Sequence, residues 1–585
     1  MKKLRNCGLF IFAPAPSGQG ASMRQLGLWK TICIVFVFCA AAVAAAPAAT
    51  TFTTLVSFDV TNGADPGLGS LVQGTDGNLY GTTAYGGANS SACYGNGCGT
   101  AFKISAAGTL TTVYSFCSQT NCADGANPSA GLVQATNGDF YGTTIRGGAN
   151  DYGTVFEITP AGTLTTLYTF AGADGEYPCA GLVQATNGDF YGTTLGGGAN
   201  DYGTVFEITP AGTFTTLHSF DGTDGEGPNG GLIQATNGNL YGTAGAGGTN
   251  GYGTVFKITL GGTLTTLYSF CSQTNCADGE YPDAGLVQAT NGNFYGTTYY
   301  GGDISACSAY GCGTVFEITP AGKLTTLHSF DNNDGDRPSA TLVQATNGNF
   351  YGTTTLGGAN DVGGTVFEIT SGGKLTTLYN FCSQTNCTDG AAPEAGLVQA
   401  TNGNFYGTTY NGGTNGVGTV FSLSVGLGPF VETLPTSGKV GAKVIILGTN
   451  LTGATAVSFD GTAATFTVVS ATEIKTTVPA GATTGTVTVT TPGGTLNSNI
   501  IFRVTPQITS FSPSSGPVGT QVTITGVSLT QTTKVTFGGV KATNFTVSSD
   551  TQVTAYVPTG AKTGHIGITT LGGTATSSGI FTVTQ

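Results

Sequence analysis

Ten of the fourteen cysteines stand in five Cys-x4-Cys pairs: Cys93/Cys98, Cys117/Cys122, Cys271/Cys276, Cys307/Cys312 and Cys382/Cys387. Both members of a pair come and go together. Segments that read Ala171-Gly172-Ala173 or Asp221-Gly222-Thr223 lack both, and segments that read Cys-Ser-Gln-Thr-Asn-Cys have both. Such co-occurrence is the behaviour of disulfides in an exported protein. Each would close a small loop, worth roughly 2 kcal/mol on the chain-entropy argument. Four intervening residues is not zinc spacing and no histidine is close by, so no metal is expected. Cys179 has no local mate and is expected to be a buried free thiol. Cys7, Cys33 and Cys39 lie in the N-terminal segment.

The remaining reactive groups do not form a catalytic set. His218 and His328 occupy positions held elsewhere by tyrosine, and His565 stands far from any triad pattern. Glu157, Glu207, Glu317 and Glu368 recur at one position and alternate with apolar residues, which favours solvated side chains over a glycosidase pair. No catalytic residue and no cofactor are expected. The candidates for ligand binding are Tyr94, Asp151, Tyr152, Asp201, Tyr202, Tyr252, Tyr299, Tyr300 and Tyr310. Tyrosines in loops stack on sugar rings or anchor a protein partner. The rival reading is that Asp-Tyr-Gly is a turn whose tyrosine packs on its neighbour. The repeated Asp of Asp-Gly-x-x-Pro is read as turn chemistry rather than as a calcium ligand.

These residues sit on a repeat. The phrase Gly-Leu-Val-Gln-Ala-Thr-Asn-Gly-Asn-Phe-Tyr-Gly-Thr-Thr at residue 285 has counterparts starting at Ser70, Gly131, Gly181, Gly231, Thr341 and Gly396. A fixed period of this length points to a four-stranded unit. In the unit at 285 the expected strands are 286–289, 294–299, 314–319 and 324–330. Thr290-Asn291-Gly292 is a strong hairpin turn, and the other segments are bounded by Gly, Pro or Asn. A fourth strand follows only six of the seven copies. The missing one is found at the start, where Thr51-Phe52-Thr53-Thr54-Leu55-Val56-Ser57-Phe58 matches Thr263-Leu264-Thr265-Thr266-Leu267-Tyr268-Ser269-Phe270. An open solenoid would not need the loan, whereas a ring would. The expected fold is all-β: a seven-bladed β-propeller over 51–426, closed by the N-terminal strand. The Tyr of Phe-Tyr-Gly reads as core, and Gly142 and its equivalents as room for the next blade.

In each blade the Thr-Asn-Gly and Pro-Ala-Gly turns share one face and barely vary. The second-to-third loops and the inter-blade linkers share the other face, and they hold the length variation and all five cysteine pairs. Variable loops on a rigid scaffold are where binding resides.

Residues 1–46 read as a secretory signal peptide, with a basic stretch after Met23, an apolar run and Ala-x-Ala sites. Met23 is the expected true start. The net charge of −13 argues against nucleic acid. No other stretch is long enough to span a bilayer.

Two further units are expected at 429–504 and 506–585. The second reads Pro506-Gln507-Ile508-Thr509-Ser510-Phe511-Ser512-Pro513-Ser514-Ser515-Gly516-Pro517-Val518-Gly519, then Val535-Thr536-Phe537-Gly538-Gly539. The first keeps that frame with Leu447 and Asp460 as departures. Both resemble the IPT/TIG immunoglobulin-like family, which implies small β-sandwiches serving as spacers or protein contacts. The repeats resemble the GloVer-type tandem repeat of exported bacterial proteins. That resemblance implies export and transfers no functional residues. The expected role is a non-catalytic, monomeric binding or adhesion protein, secreted or at the cell surface, whose partner is an extracellular glycan or protein. The alternatives are an exported polysaccharide-active enzyme, hydrolase or lyase, and a purely structural envelope component.

Overall fold

A computed structural model describes residues 50–585, apart from 68, 90–92, 306, 308, 309 and the side chain of Tyr94. Residues 1–46, read as a signal peptide, lie outside the described residues. Helix among the described residues is limited to four three-residue turns, Cys93–Gly95, Thr120–Cys122, Thr274–Cys276 and Thr385–Cys387. The rest of the regular structure is strand.

Seven four-stranded antiparallel sheets follow one another from residue 72 to residue 424. The fifth shows the unit: Val287–Gln288, Phe294–Thr298, Thr314–Ile318 and Leu324–Ser329, paired in chain order. The expected strands agree with these to within a residue or two. The seventh sheet takes its outer strand from the other end of the chain. Thr51–Ser57 runs antiparallel to Thr419–Ser424. Phe58 N–H donates to Gly418 O at 3.0 Å, and Asn415 Nδ2 donates to Phe58 O at 2.8 Å.

Hydrophobic burial between sheets explains why the unit needs neighbours. Each core cluster of the repeat region draws on two successive sheets, for example Tyr295, Val315 and Phe330 of the fifth with Leu342, Phe350 and Phe367 of the sixth. A further cluster joins Leu71, Leu79 and Phe102 of the first sheet to Tyr406 and Val420 of the seventh. The Phe-Tyr-Gly tyrosine stacks on the next sheet's phenylalanine, as in Tyr295 on Phe350 at 4.1 Å. Its hydroxyl is also satisfied, donating to Glu317 Oε1 at 2.9 Å. Gly142 does not serve the next sheet as expected. A Cβ there would fall 2.7 Å from Phe156 and 2.8 Å from Leu132, both in its own sheet.

A second series of contacts runs between sheets through side-chain amides. The Gln of each first strand accepts the backbone N–H of the Thr that starts the preceding sheet's Thr-Asn-Gly turn or its counterpart. Gln134 takes Thr75, Gln184 takes Thr136, Gln234 takes Thr186, Gln288 takes Thr236, Gln344 takes Thr290 and Gln399 takes Thr346, at 2.8–3.2 Å. Gln73 then takes Thr401, joining last to first.

Beyond residue 428 two units each enclose one core between two sheets. In the first, the strands around Lys443–Leu447 and Glu473–Thr477 face those around Ala456–Phe459 and Val487–Thr491 across Val444, Ile446, Phe459, Ile474 and Val489. The second repeats this arrangement around Val522, Ile524, Phe537, Val553 and Ile566. The first unit rests on the turns of the repeats. Thr472 Oγ1 donates to Thr75 O at 2.9 Å, Thr401 and Thr449 share a hydroxyl contact at 3.0 Å, and Phe430 N–H donates to Thr401 O at 3.0 Å. In antiparallel sheets, turns and loops leave from opposite ends, so the loop end stays open. Among the described residues, no helix is long and apolar enough to cross a membrane.

Candidate functional site

The loop end is built from the linkers that carry the chain into each sheet, reading Asp-Gly-x-x-Pro-x in six of seven cases. The first Asp is a turn residue. Asp278 accepts the Ser272 and Gln273 N–H groups and the Tyr268 hydroxyl, at 2.7–3.1 Å. Asp224 and Asp334 accept from His218 and His328 Nε2 in the same way, at 2.7 and 2.8 Å. The two histidines thus replace tyrosine in a structural contact.

The residue before the proline is left-handed in every linker. Asp65, Asn127, Tyr177, Gly227, Tyr281, Arg337 and Ala392 have φ between 52° and 60°. Only one is glycine, although a non-glycine residue pays a steric penalty there. Each is held by two backbone bonds; Tyr281 N–H donates to Tyr252 O, and Tyr281 O accepts from Tyr299 N–H, both at 2.9 Å. The side chains at this position differ from linker to linker while the backbone stays the same.

The residue after the proline points elsewhere. Cys179, Asn229, Asp283, Ser339 and Glu394 line one cavity of about 600 Å³. Glycines and leucines of the first strands complete its wall, with Tyr299 and Thr355 from the ends of second strands. Cys179 is the buried free thiol expected. Its Sγ donates to Asn229 Oδ1 at 3.1 Å, and Asn229 Nδ2 reaches Asp283 Oδ1 at 3.4 Å. Ser339 and Thr355 hydroxyls meet at 3.0 Å. Burial pushes the Cys179 thiol up to about 12. Burial also raises the Asp283 carboxyl, with the Asn229 amide opposing. Glu394 is raised by burial and then by the Asp65 charge.

Beside this cavity the fourth and fifth repeats gather aromatic rings. Tyr281 lies 5.9 Å from Tyr252 and 6.2 Å from Tyr300, and Tyr300 lies 4.7 Å from Tyr299 and 5.7 Å from Tyr310. The Arg337 guanidinium sits over Tyr299 and Tyr300 at 5.7 and 5.5 Å. Tyr252, Tyr299, Tyr300 and Tyr310, singled out from the sequence, are therefore brought together. The other named residues are not. Tyr152 contacts Tyr177 at 6.0 Å, and Tyr202 lies against Gly222. Asp151 and Asp201 accept the Gly147 and Gly197 N–H groups at 2.8 and 3.1 Å, which is turn chemistry. The Tyr94 side chain lies outside the described residues. Tyr281, Arg337, Asn229, Asp283 and Glu394 went unread. Their signal was present: the positions flanking the linker proline vary between copies whose frame is constant.

All five cysteine pairs are disulfides: Cys93–Cys98, Cys117–Cys122, Cys271–Cys276, Cys307–Cys312 and Cys382–Cys387. Among the described residues, three groups could bring metal-ligating atoms together, Cys93/Cys98/Cys122, Cys271/Cys276/Glu280 and Cys307/Cys312/Asp336. Each contains a disulfide, and thiolate, not disulfide sulfur, is the metal ligand.

Residues 92–310 and 304–546 match the model of the Gloeobacter/Verrucomicrobia repeat, well over half the chain. The chain belongs to this family. No curated protein matches it. Among solved structures it is similar to SGBP-B from a xyloglucan utilization locus of Bacteroides uniformis, at 26% identity and a TM-score of 0.14. That match covers 26% of this chain and 48% of the other, so the chain spans about half of that relative. It is also similar to a fungal copper-containing alcohol oxidase of the AA5 family, at 12% identity, covering 78% and 98%, with a TM-score of 0.42. A gluconolactonase from Xanthomonas campestris matches at 14% identity, covering 54% and 90%, with a TM-score of 0.33. TM-scores this low carry neither fold nor chemistry across. Function has to be argued from the chain's own residues.

Proposed function

We propose that this is an exported, monomeric binding protein that captures an extracellular glycan at the loop end of a seven-bladed β-propeller. Residues 1–46 are its signal peptide. The seven sheets of 51–426 are the blades, sealed by the N-terminal strand. The units at 429–504 and 506–585 are IPT/TIG-type β-sandwiches that act as spacers on the turn end. Closure is supported by the seventh-to-first pairing through Gln73 and Thr401 and by the apolar cluster that spans the same joint.

One observation carries the function. All seven repeats contribute to one cavity, and within its constant Gly-Leu frame the residues after the linker proline, Cys179, Asn229, Asp283, Ser339 and Glu394, differ from repeat to repeat. Conserved frame and divergent display is what a binding surface needs, whereas a purely structural ring would have no use for divergence. The tyrosines around Tyr281 offer flat apolar faces with a polar tip, suited to sugar rings.

A second reading, a polysaccharide-cleaving enzyme, is favoured by Asp283 and Glu394, two carboxyls raised by burial in one cavity. Shifted acids are common at catalytic sites and occur at binding sites too. One assay separates the readings. Oxidised, leader-free protein is incubated with plant, fungal and bacterial polysaccharides, and both retention and new reducing ends are recorded. Retention without release supports the binding protein. Release replaces it with the enzyme. Neither outcome on any polymer rejects the glycan and leaves a protein partner.

A further inference from the structure

The cavity has a one-sided charge. Among the described residues, its ionisable lining consists of Asp283, Glu394, Tyr299 and Cys179, with no Lys, Arg or His. Among the described residues, Asp283 receives one long hydrogen bond, from Asn229 at 3.4 Å. Glu394 receives no hydrogen bond and forms no ion pair among them, and the nearby Asp65 charge repels it. The linkers that lead to the cavity are acidic as well, although these residues do not line it. The residue following Asp-Gly is acidic in four successive linkers: Glu176, Glu226, Glu280 and Asp336.

The basic groups close by are already engaged. Arg337 lies over Tyr299 and Tyr300 and 3.6 Å from Asp336. Arg146 lies over Tyr177 and pairs with Asp151 at 3.3 Å. A carboxylate drawn out of water without a cation is unfavourable. Nothing in the repeat frame prevents a lysine at position 229 or 339, since the residue after the proline is free to vary. The missing cation has therefore been left to the ligand.

We infer that the cavity takes a sugar bearing a free amine, so that the glycan is an amino-sugar polymer with unacetylated units. The inference rests on the glycan-binding reading above. The cavity volume of about 600 Å³ falls within the usual range for small-molecule sites and admits an end or a bent stretch of a chain. An ammonium group would meet Asp283 or Glu394, which come from the linkers into the fifth and seventh sheets. Sugar hydroxyls would meet Asn229, Ser339 and Thr355, and a ring face would meet Tyr299. An anionic polymer is excluded by the same charges.

The test is titration calorimetry of the full oxidised chain in mildly acidic buffer with four probes. These are the β-1,4 tetramers of glucosamine, N-acetylglucosamine and glucose, and tetralysine. The expected order places the glucosamine tetramer at least about tenfold tighter than either neutral tetramer, as one ammonium–carboxylate contact would give. Asp283→Asn and Glu394→Gln should each reduce the preference for the glucosamine tetramer over the neutral tetramers by about that tenfold. Melting temperatures equal to the parent's will show that both variants fold. Equal affinity for acetylated and free tetramers, or no effect of either variant, overturns the inference while leaving a glycan-binding protein. Tetralysine as tight as the glucosamine tetramer overturns the sugar part. Failure of all four here, together with retention on no polysaccharide, removes the glycan reading itself.

Discussion

The side-chain oxygen of Gln73 accepts the backbone N–H of Thr401 at 2.8 Å, across 328 residues of sequence. Six equivalent contacts, one for each pair of successive sheets, run along the chain, and this seventh joins the last to the first. The joint is completed by the strand Thr51–Ser57, whose Phe52 stacks on Tyr379 at 3.7 Å and whose neighbour Phe58 is fully buried.

Deletion of residues 51–58 is accordingly expected to cause a large loss of stability. The packing of two phenylalanines, Phe52 and Phe58, is lost, at roughly 1.5–3 kcal/mol each, and the Thr419–Ser424 strand becomes an open edge prone to pairing with other chains. Scanning calorimetry should show a lower, broadened transition with aggregation. Gln73→Ala is the milder probe. It strands one N–H and should cost about 1–2 kcal/mol. An unchanged melting temperature in both would sink the closure argument.

The repeats contain their own control for a carboxylate pair. In the fifth and sixth sheets Asn293 and Asn349 donate to Glu317 and Glu368 at 2.7 and 2.6 Å. The second and third sheets place Asp139 and Asp189 at the corresponding position, beside Glu157 and Glu207. Burial, and then the neighbouring glutamate, raises both aspartates. A carboxyl raised in the folded state contributes stability that is present below its unfolded pKa and fades as pH rises. Asp139→Asn and Asp189→Asn should therefore stabilise at neutral pH and do nothing in strong acid. Both sites are largely solvated, so a gain of only about 0.5 kcal/mol each is expected. Urea denaturation at the two pH values would read it; equal gains at both would refute the charge explanation.

How far each feature is legible in the sequence depends on where its constraint lies. Repeat number, strand positions and the pairing of Thr51–Ser57 with the end of the repeats rest on local pattern and on counting. The cysteine pairs were legible because both members vanish together. Tyr281 and Glu394 were not, because a repeat gives each residue a position within its sheet but not its distance from the common cavity. Asp151 and Asp201 misled for the opposite reason. They are exposed and look available, yet their oxygens are used by Gly147 and Gly197. The role of Gly142 was misread because the phenylalanine that fills its space, Phe156, comes from the same sheet.

Glu432 makes the first C-terminal unit sensitive to pH. Burial pushes its carboxyl up to about 7 from 4.5, with the Asn499 amide opposing at 3.1 Å. The proton is held more tightly in the folded chain, so the stabilising contribution is complete below about 4.5 and lost as pH rises to about 7. The loss is at most ~3 kcal/mol. Glu432→Gln keeps the contact with Asn499 and removes the titration. Its stability should be flat across that window and exceed the parent's above it. A parent with no decline between those limits would show that the carboxylate is solvated after all.

The tyrosines provide the sharpest separation of display from packing. Tyr281 is held in a left-handed conformation and bridges Tyr252 to Tyr300. Tyr202 occupies the loop position equivalent to Tyr252 but covers Gly222 in a linker with no aromatic partner. If the loop end binds by stacking, Tyr281→Ala and Tyr300→Ala should each weaken retention on the bound polymer by more than about 1 kcal/mol, the threshold for a binding hot spot. Tyr202→Ala should leave retention intact. Tyr281→Gly discriminates further, because glycine relieves the left-handed backbone while removing the ring. Its melting temperature should match or exceed that of Tyr281→Ala, with retention equally lost. Were Tyr202→Ala to lose as much as Tyr281→Ala, binding would be spread over the loops rather than gathered at the fourth and fifth repeats, and the cavity beside Tyr299 would no longer be its centre.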